Sequence, residues 1–148
     1  MKKIISLGIV CMFSIILTGC GKKTLICEGS ITDAGLTSAV KVTGNFENDK
    51  LKNQYIEMDF DLTDYLQYAD IDTYYDSFTT QYEEFNNYDG ITVSVSKGET
   101  SIKVDMDIDL SKVDEETYKM LEVGNGSLEV SSKAFEEEFI NMGLTCNK

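Results

Sequence analysis

The sequence predicts an α+β fold, with an antiparallel sheet of about five strands and helices packed on one face. Apolar and polar residues alternate in five segments, which is the period of a strand with one buried side. Elsewhere, apolar residues recur every three or four positions, as on an amphipathic helix. The elements follow in the order β-β-β-α-β-β-α-α. Helices that cover one face of an antiparallel sheet would bury the apolar residues of both the strands and the helices. At 148 residues, a single domain is expected.

The first three strands are predicted between residues 25 and 62. The apolar positions that share one face in each strand are Leu25, Cys27 and Ile31; then Leu36, Val40, Val42 and Phe46; then Ile56, Met58, Phe60 and Leu62. Turns are expected at Asp33-Ala34-Gly35 and at Glu47-Asn48-Asp49-Lys50, because these residues favour turn conformations.

A long helix is predicted next, from a stripe of six residues spaced by three or four positions. These residues are Tyr68, Ile71, Tyr75, Phe78, Tyr82 and Phe85. Thr63 or Asp64 is expected to cap its start, and Asn86-Asn87 with Asp89-Gly90 to end it. Tyr68, Tyr75 and Tyr82 would then lie in the core, whereas Tyr65 and Tyr74 would be exposed.

A second hairpin and two helices complete the domain. The hairpin's apolar positions are Ile91, Val93 and Val95, then Ile102, Val104, Met106, Ile108 and Leu110. Ser111 or Asp114 would start a short helix that ends at Gly124-Asn125-Gly126, with Val113, Thr117 and Leu121 facing inward. The last helix would begin after Ser131, bury Phe135, Phe139 and Met142, and stop at Gly143. Thr145 and Cys146 would return toward the first strand.

The first twenty residues have the pattern of an export signal. Met1-Lys2-Lys3 is basic, residues 4–17 are mostly apolar, and Leu17-Thr18-Gly19-Cys20 resembles the lipobox of bacterial lipoproteins. The resemblance implies that Cys20 carries a diacylglycerol and that residues 1–19 are removed as a signal peptide. Residues 20–24 would be a lipidated tether and residues 25–148 the domain, on the extracytoplasmic face of the cell membrane. An ordinary signal peptide or a short membrane anchor is the alternative.

Two cysteines are then left in the exported domain. Cys11 lies in the removed segment and Cys20 is used by the lipid, which leaves Cys27 and Cys146 near the two ends of the domain. Exported proteins commonly form disulfides, so we expect these two to pair. Two free buried thiols are the alternative.

The composition excludes several classes of function. The chain has no histidine and no arginine, and its formal charge is −13. The absence of histidine excludes Ser-His-Asp catalysis and imidazole metal sites. The charge argues against nucleic acid as a partner, because nucleic-acid binding needs cationic side chains. No cofactor and no enzyme activity are expected. A two-carboxylate hydrolase is the only enzyme class whose parts are present.

Two acidic strand segments are candidates for binding a divalent cation. If the third and fifth strands pair, their outward carboxylates would stand close together on one face; these are Glu57, Asp59 and Asp61 with Asp105, Asp107 and Asp109. A simple solvated acidic face is the favoured alternative. With Glu116, the second set also has the spacing of a calcium loop, but Leu110 occupies the position that such a loop gives to glycine.

The layout resembles the YehR-like family of small bacterial lipoproteins. The matching stretches are Gln81-Tyr82-Glu83-Glu84-Phe85-Asn86-Asn87, Asp105-Met106-Asp107-Ile108-Asp109-Leu110 and Gly143-Leu144-Thr145-Cys146. The resemblance implies the fold and the lipid anchor, and it implies no activity. We therefore expect a non-catalytic, membrane-anchored acidic module for binding or envelope maintenance, with a cation or an envelope protein as partner. A lipoprotein that binds divalent metals or small solutes is the alternative.

Overall fold

A computed structural model describes residues 21–33, 35–121 and 126–147, which form a six-stranded antiparallel sheet with helices on one face. The strands lie side by side in the order β4-β5-β3-β2-β1-β6. Their bounds are β1 Lys22–Asp33, β2 Leu36–Glu47, β3 Lys50–Asp61, β4 Ile91–Lys97, β5 Ser101–Asp109 and β6 Thr145–Asn147. The helices are α1 Ile71–Tyr82, a 3-10 helix Glu83–Asn87, α2 Glu115–Met120 and α3 Ser132–Asn141.

The predicted α+β class and the five predicted strands are confirmed, and β6 is an additional short strand at the edge. Cys20, the signal peptide over 1–19, and Gly124 and Asn125 of the predicted helix end lie outside the described residues. Residues 22–24, expected in the tether, belong to β1 instead, where Lys23 pairs with Phe46 and Thr24 with Asn45.

The alternating strand residues form the core, as predicted from their period. The fully buried strand residues include Leu25, Val42, Ile102, Val104 and Ile108. Phe135 and Phe139 of α3 pack over the β1–β2 side of this face, and α1 with the 3-10 helix packs over β4 and β5. Removal of these apolar side chains from water supplies the main favourable free energy of folding.

Helix α1 begins later than predicted. Its cap is Asp70, whose Oδ1 accepts hydrogen bonds from the Thr73 N–H at 2.8 Å and from Thr73 Oγ1 at 2.9 Å. Tyr68 therefore precedes the helix and is 77% exposed. Tyr65 and Tyr74, expected to be exposed, are partly buried against the core, and the Tyr74 hydroxyl donates to the Tyr65 carbonyl at 3.1 Å. The positions predicted for Tyr65, Tyr68 and Tyr74 were therefore wrong, whereas Tyr75 and Tyr82 pack against the core as expected.

The two later helices begin where the sequence predicts. Asp114 caps α2, and Ser131 caps α3 by accepting a hydrogen bond from the Ala134 N–H at 3.2 Å. Gly143 has φ of 92°, which glycine adopts without strain, and it turns the chain so that Leu144 folds back into the core. The prediction for Met142 was wrong, since this side chain is 48% exposed.

Strand β3 contains a bulge that the alternation did not predict. Opposite it on β2, Asn45 pairs with Asn53 and Phe46 pairs with Leu51, which leaves Lys52 as an extra residue. The bulge lets Leu51 enter the core although its parity is opposite to that of Ile56. Bulges of this kind re-aim side chains and increase local twist.

The exposed edge of β4 is closed by a side chain. Asn86 of the 3-10 helix donates through Nδ2 to the Val93 carbonyl at 2.9 Å and accepts from the Val93 N–H at 2.7 Å. The amide thus occupies the backbone groups that another strand would use. None of the helices described combines the length and the apolar character that a membrane crossing requires.

Candidate functional site

The side of the sheet opposite the helices is the candidate functional surface, and we call it the open face. It is formed by the strand residues that alternate with the core residues, and it carries the acidic side chains singled out from the sequence. Strands β3 and β5 do pair, as hypothesised. The register then decides which of the six carboxylates meet.

The pairing brings only two of the six predicted carboxylates directly opposite each other. Glu57 faces Asp105 across the two strands. The remaining partners are of other types: Asp59 faces Lys103, Asp61 faces Ser101, Tyr55 faces Asp107 and Asn53 faces Asp109. The acids are therefore spread along the sheet.

The one opposed acidic pair is neutralised by two lysines. Glu57 lies 3.2 Å from Lys41 Nζ and 3.4 Å from Lys103 Nζ, and Lys103 Nζ also lies 3.1 Å from Asp105. Burial alone would raise the pKa of Glu57, but the hydrogen bonds and charges of the two lysines lower it below its ordinary value. We call these four residues the central charge cluster.

Two further predicted acids hold the turns that follow their strands. Asp61 accepts hydrogen bonds from the Thr63 N–H at 2.9 Å and from Thr63 Oγ1 at 2.6 Å. Asp109 does the same with the Ser111 N–H at 3.0 Å and Ser111 Oγ at 2.5 Å, and Lys112 Nζ lies 2.9 Å away. The hydrogen bond from the Ser111 side chain, followed by that from Lys112, lowers the pKa of Asp109 to about 2.

These contacts bear on the metal hypothesis. Within the described ranges, no group of three or more His, Cys, Asp or Glu side chains is placed to hold a metal ion. Asp105, Asp107 and Asp109 lie on an extended strand, so this segment does not wrap around a cation as a calcium loop does. Divalent-metal binding by the six acids stays a prediction.

A shallow hollow lies at the centre of the open face. It has a volume of about 440 Å³, and its floor is formed by small residues where Ser30 and Ala39 face each other on β1 and β2. Lys41, Lys103 and Asp59 line its sides, so both signs of charge border it. The sequence reasoning missed this hollow because the juxtaposition of small residues depends on the strand register. Their outward parity was the one available signal.

The predicted disulfide is confirmed. Cys27 and Cys146 face each other on β1 and β6, with their Cα atoms 3.9 Å apart, and they form a disulfide across a sequence separation of 119. Cys27 is fully buried. The bond fastens the last strand of the domain to the first.

Two solved structures share this fold. The NMR structure of the Escherichia coli YehR protein superposes with a TM-score of 0.65 at 16% identity, covering 86% of this chain and 94% of that one. The NMR structure of a protein from Streptococcus pneumoniae TIGR4 gives a TM-score of 0.60 at 12% identity, covering 99% of this chain and 96% of that one. No family model and no curated protein matches the chain. At these identities the likeness shows the fold.

Proposed function

We propose that this chain is a YehR-like lipoprotein of the bacterial cell surface, anchored through Cys20, whose domain acts by binding and not by catalysis. The lipobox over residues 17–20 supports the anchor. The disulfide supports an oxidising compartment outside the cytosol. The fold that the chain shares with the YehR protein of Escherichia coli agrees with the family resemblance in the sequence.

The position of Gly21 defines how closely the domain would sit to the lipid. Its carbonyl accepts a hydrogen bond from the Asn48 N–H at 2.7 Å, and β1 begins at the next residue. A lipid on Cys20 would therefore be separated from the sheet by one residue, and not by the longer tether expected from the sequence. The end of the sheet that contains Gly21 and Asn48 would then lie against the lipid headgroups.

The hollow on the open face is the observation that best supports a binding role. Its small-residue floor leaves space for a partner, and its lysines and carboxylates can contact polar groups of either charge. Glu57 is poorly suited to act as a general acid in the hollow, because a general acid needs a raised pKa whereas the pKa of Glu57 is lowered.

The anchor is tested by mass spectrometry of the protein from its native membrane. We expect a chain that begins at residue 20 with acyl chains attached, and a Cys20→Ser variant that keeps residues 1–19 and carries no lipid. A native chain with an unmodified Cys20 would reject the anchor.

The binding face is tested with a photo-crosslinking amino acid placed at Ala39 in intact cells. We expect crosslinked products from position 39, at the centre of the hollow. The matched control is the same amino acid at Ser77, an exposed residue of α1. Equal yields at the two positions would argue against the open face as the binding surface.

The metal alternative is separated by calorimetric titration with calcium, magnesium and manganese. Because Glu57 and Asp105 are already paired with lysines, we expect no saturable heat from the unchanged protein. A Lys41→Gln/Lys103→Gln variant releases both carboxylates and shows whether lysine pairing accounts for the result. Micromolar binding by the unchanged protein would favour the metal hypothesis over our proposal.

A further inference from the structure

A second hollow on the open face lies beside Gly21, at the end of the sheet where the chain enters β1. Its volume is about 480 Å³, and we call it the basic hollow. Three lysines, Lys22, Lys23 and Lys52, line it together with Thr24, Asn45 and Asn53 and one acid, Glu47. Three lysines in one hollow are unexpected in a chain with 26 acids and 13 lysines.

The lysines of this hollow differ from the others in their pairing. Ten lysines lie within the described ranges. Eight of them have a hydrogen bond or an ion pair; these are Lys23, Lys41, Lys50, Lys97, Lys103, Lys112, Lys119 and Lys133. The side chains of Lys22 and Lys52 have neither with any residue that the structure describes, and both lysines line the basic hollow. The two unneutralised cations of the described chain are thus placed together.

The fold brings these two lysines into one hollow by specific means. Lys22 is the first residue of β1, paired with Glu47 at the end of β2. Lys52 is the extra residue of the β3 bulge, so no residue of β2 stands opposite it. Without the bulge, the parity of Lys52 would match that of the buried Ile56 and direct it toward the core.

Neutral donors accompany the charges. Thr24 Oγ1 donates to Asn45 Oδ1 at 2.9 Å, which leaves the Asn45 amide NH₂ available. The side chain of Asn53 has no hydrogen bond to a described residue and also lines the hollow. Two ammonium groups and two amides are donors without acceptors, a combination suited to an anion with several oxygens.

We infer that the basic hollow binds the phosphodiester of an anionic phospholipid headgroup in the membrane that carries the chain. The choice of a headgroup rests on the proposed anchor at Cys20, because that anchor would place the hollow at the bilayer surface. The compact charge of a lysine suits a phosphate group. Each lysine near an anionic membrane surface increases the affinity of a protein for that membrane about fivefold. A soluble phosphate ester offers the same chemistry from a different source.

The experiment uses residues 21–148, which contain every described strand, helix and core residue together with the disulfide. Binding to vesicles of phosphatidylglycerol and to vesicles of phosphatidylcholine is measured by co-sedimentation at low ionic strength. We expect preference for phosphatidylglycerol, and about 25-fold weaker binding for Lys22→Gln/Lys52→Gln. The matched control is Lys119→Gln/Lys133→Gln, which changes the net charge equally at two exposed helix positions and should bind as the parent does.

A variant that strengthens binding complements the lysine variants, because stronger binding cannot result from a failure to fold. Glu47 is the acid that lines the hollow, so Glu47→Gln should strengthen binding to phosphatidylglycerol vesicles. In NMR titrations with glycerol phosphate, the backbone amides of Thr24, Asn45 and Asn53 should shift in a saturable manner.

Three outcomes would overturn the inference. The first is equal binding to the two kinds of vesicle, and the second is equal weakening by the two double variants. The third is a response to glycerol phosphate or inorganic phosphate without vesicle binding, which would assign the hollow to a soluble phosphate. Each of these results is independent of the mass of the native chain, so failure here is distinguishable from failure of the anchor.

Discussion

The buried pair of Tyr118 and Gln54 shows how one polar contact is built into the core. The Tyr118 hydroxyl donates to Gln54 Oε1 at 2.7 Å, and both side chains are almost completely buried. Gln54 Nε2 has no partner among the described residues. Burial raises the pKa of Tyr118, which keeps the hydroxyl protonated as the donor. The even parity of Gln54, shared with Ile56 and Met58, was the sequence signal that it faces inward.

Removal of this hydroxyl should destabilise the domain. In Tyr118→Phe, Gln54 loses its described hydrogen bond while it stays buried, so we expect a loss of about 1–3 kcal/mol in the free energy of unfolding. Urea unfolding followed by circular dichroism measures it. Tyr68→Phe is the control, because Tyr68 is exposed and should leave the stability unchanged. An unchanged midpoint for Tyr118→Phe would contradict the assigned role of the pair.

Asp109 should make the domain sensitive to acid. Its pKa falls from 3.8 to about 2 on folding, so folding favours the ionised form. This contribution is complete above about pH 4 and is lost as the pH falls through 2. We expect the free energy of unfolding to decrease less between pH 4 and pH 2 in Asp109→Asn than in the unchanged protein.

The control for this pH dependence is Asp107→Asn, which removes an exposed carboxylate of the same strand that lacks the hydrogen bonds Asp109 accepts from Ser111. The decrease in the free energy of unfolding between pH 4 and pH 2 should be smaller in Asp109→Asn than in Asp107→Asn. If the free energy of unfolding depends on pH in the same way in Asp109→Asn and in the unchanged protein, the contacts of Asp109 with Ser111 and Lys112 do not contribute to stability.

At the scale of the elements, the local capping rules were more reliable than the length of an apolar stripe. Ser131 and Asp114 cap α3 and α2 as predicted, because a side-chain oxygen beside free N–H groups is a local signal. The stripe from Tyr68 to Phe85 misled the prediction of α1. Its spacing continues into a turn before the helix and into the 3-10 helix after it, where aromatic residues still pack against the sheet.

The closure of the β4 edge by Asn86 is the element-scale feature with the clearest test. Asn86→Ala leaves the N–H and the carbonyl of Val93 unpaired at a sheet edge. We expect a loss of about 1–2 kcal/mol in stability, and self-association that increases with concentration, because an open edge can pair with a second chain. Light scattering during size-exclusion chromatography detects the association.

Asn87→Ala is the control for edge closure. Asn87 donates to the Glu84 carbonyl within the same 3-10 helix, so its removal costs one hydrogen bond and leaves the edge covered. This variant should remain as monomeric as the unchanged protein. If the two variants associate equally, closure of the edge is not what Asn86 provides.

At the scale of the whole molecule, the disulfide joins the two ends of the described domain. Closing a loop of this length removes conformational entropy from the unfolded chain, and we expect Cys27→Ser/Cys146→Ser to lower the free energy of unfolding by about 2–5 kcal/mol. The fold should persist, since Phe135, Phe139 and Leu144 remain in the core. Urea unfolding of both forms provides the measurement.

A reductant provides the control for the disulfide. It should lower the unfolding midpoint of the unchanged protein toward that of the double serine variant, and it should leave the variant itself unaffected. Equal unfolding midpoints for the oxidised protein and the variant would mean that the disulfide adds no stability to that provided by packing.

The sequence predicts the fold better than the candidate site. Alternation assigns the core residues of each strand because side-chain period and burial are local properties. The open face depends instead on which residues stand opposite one another. The opposition of Ser30 to Ala39, the lysines around Glu57 and the bulge at Lys52 all follow from register between strands distant in sequence. Register reflects packing of the whole sheet, which composition and spacing do not specify.

If Cys20 carries the proposed lipid, the link between Cys27 and Cys146 also affects how the domain responds to a force applied through that anchor. A pull on the domain through a lipid at residue 20 would act first on the short piece of β1 that precedes Cys27. Further peeling would have to move β6 together with β1, because the disulfide joins the two strands at Cys27 and Cys146. A force applied at residue 20 would therefore separate the residues of β1 before Cys27 more readily than those after it, and Ser30 in the hollow lies after it.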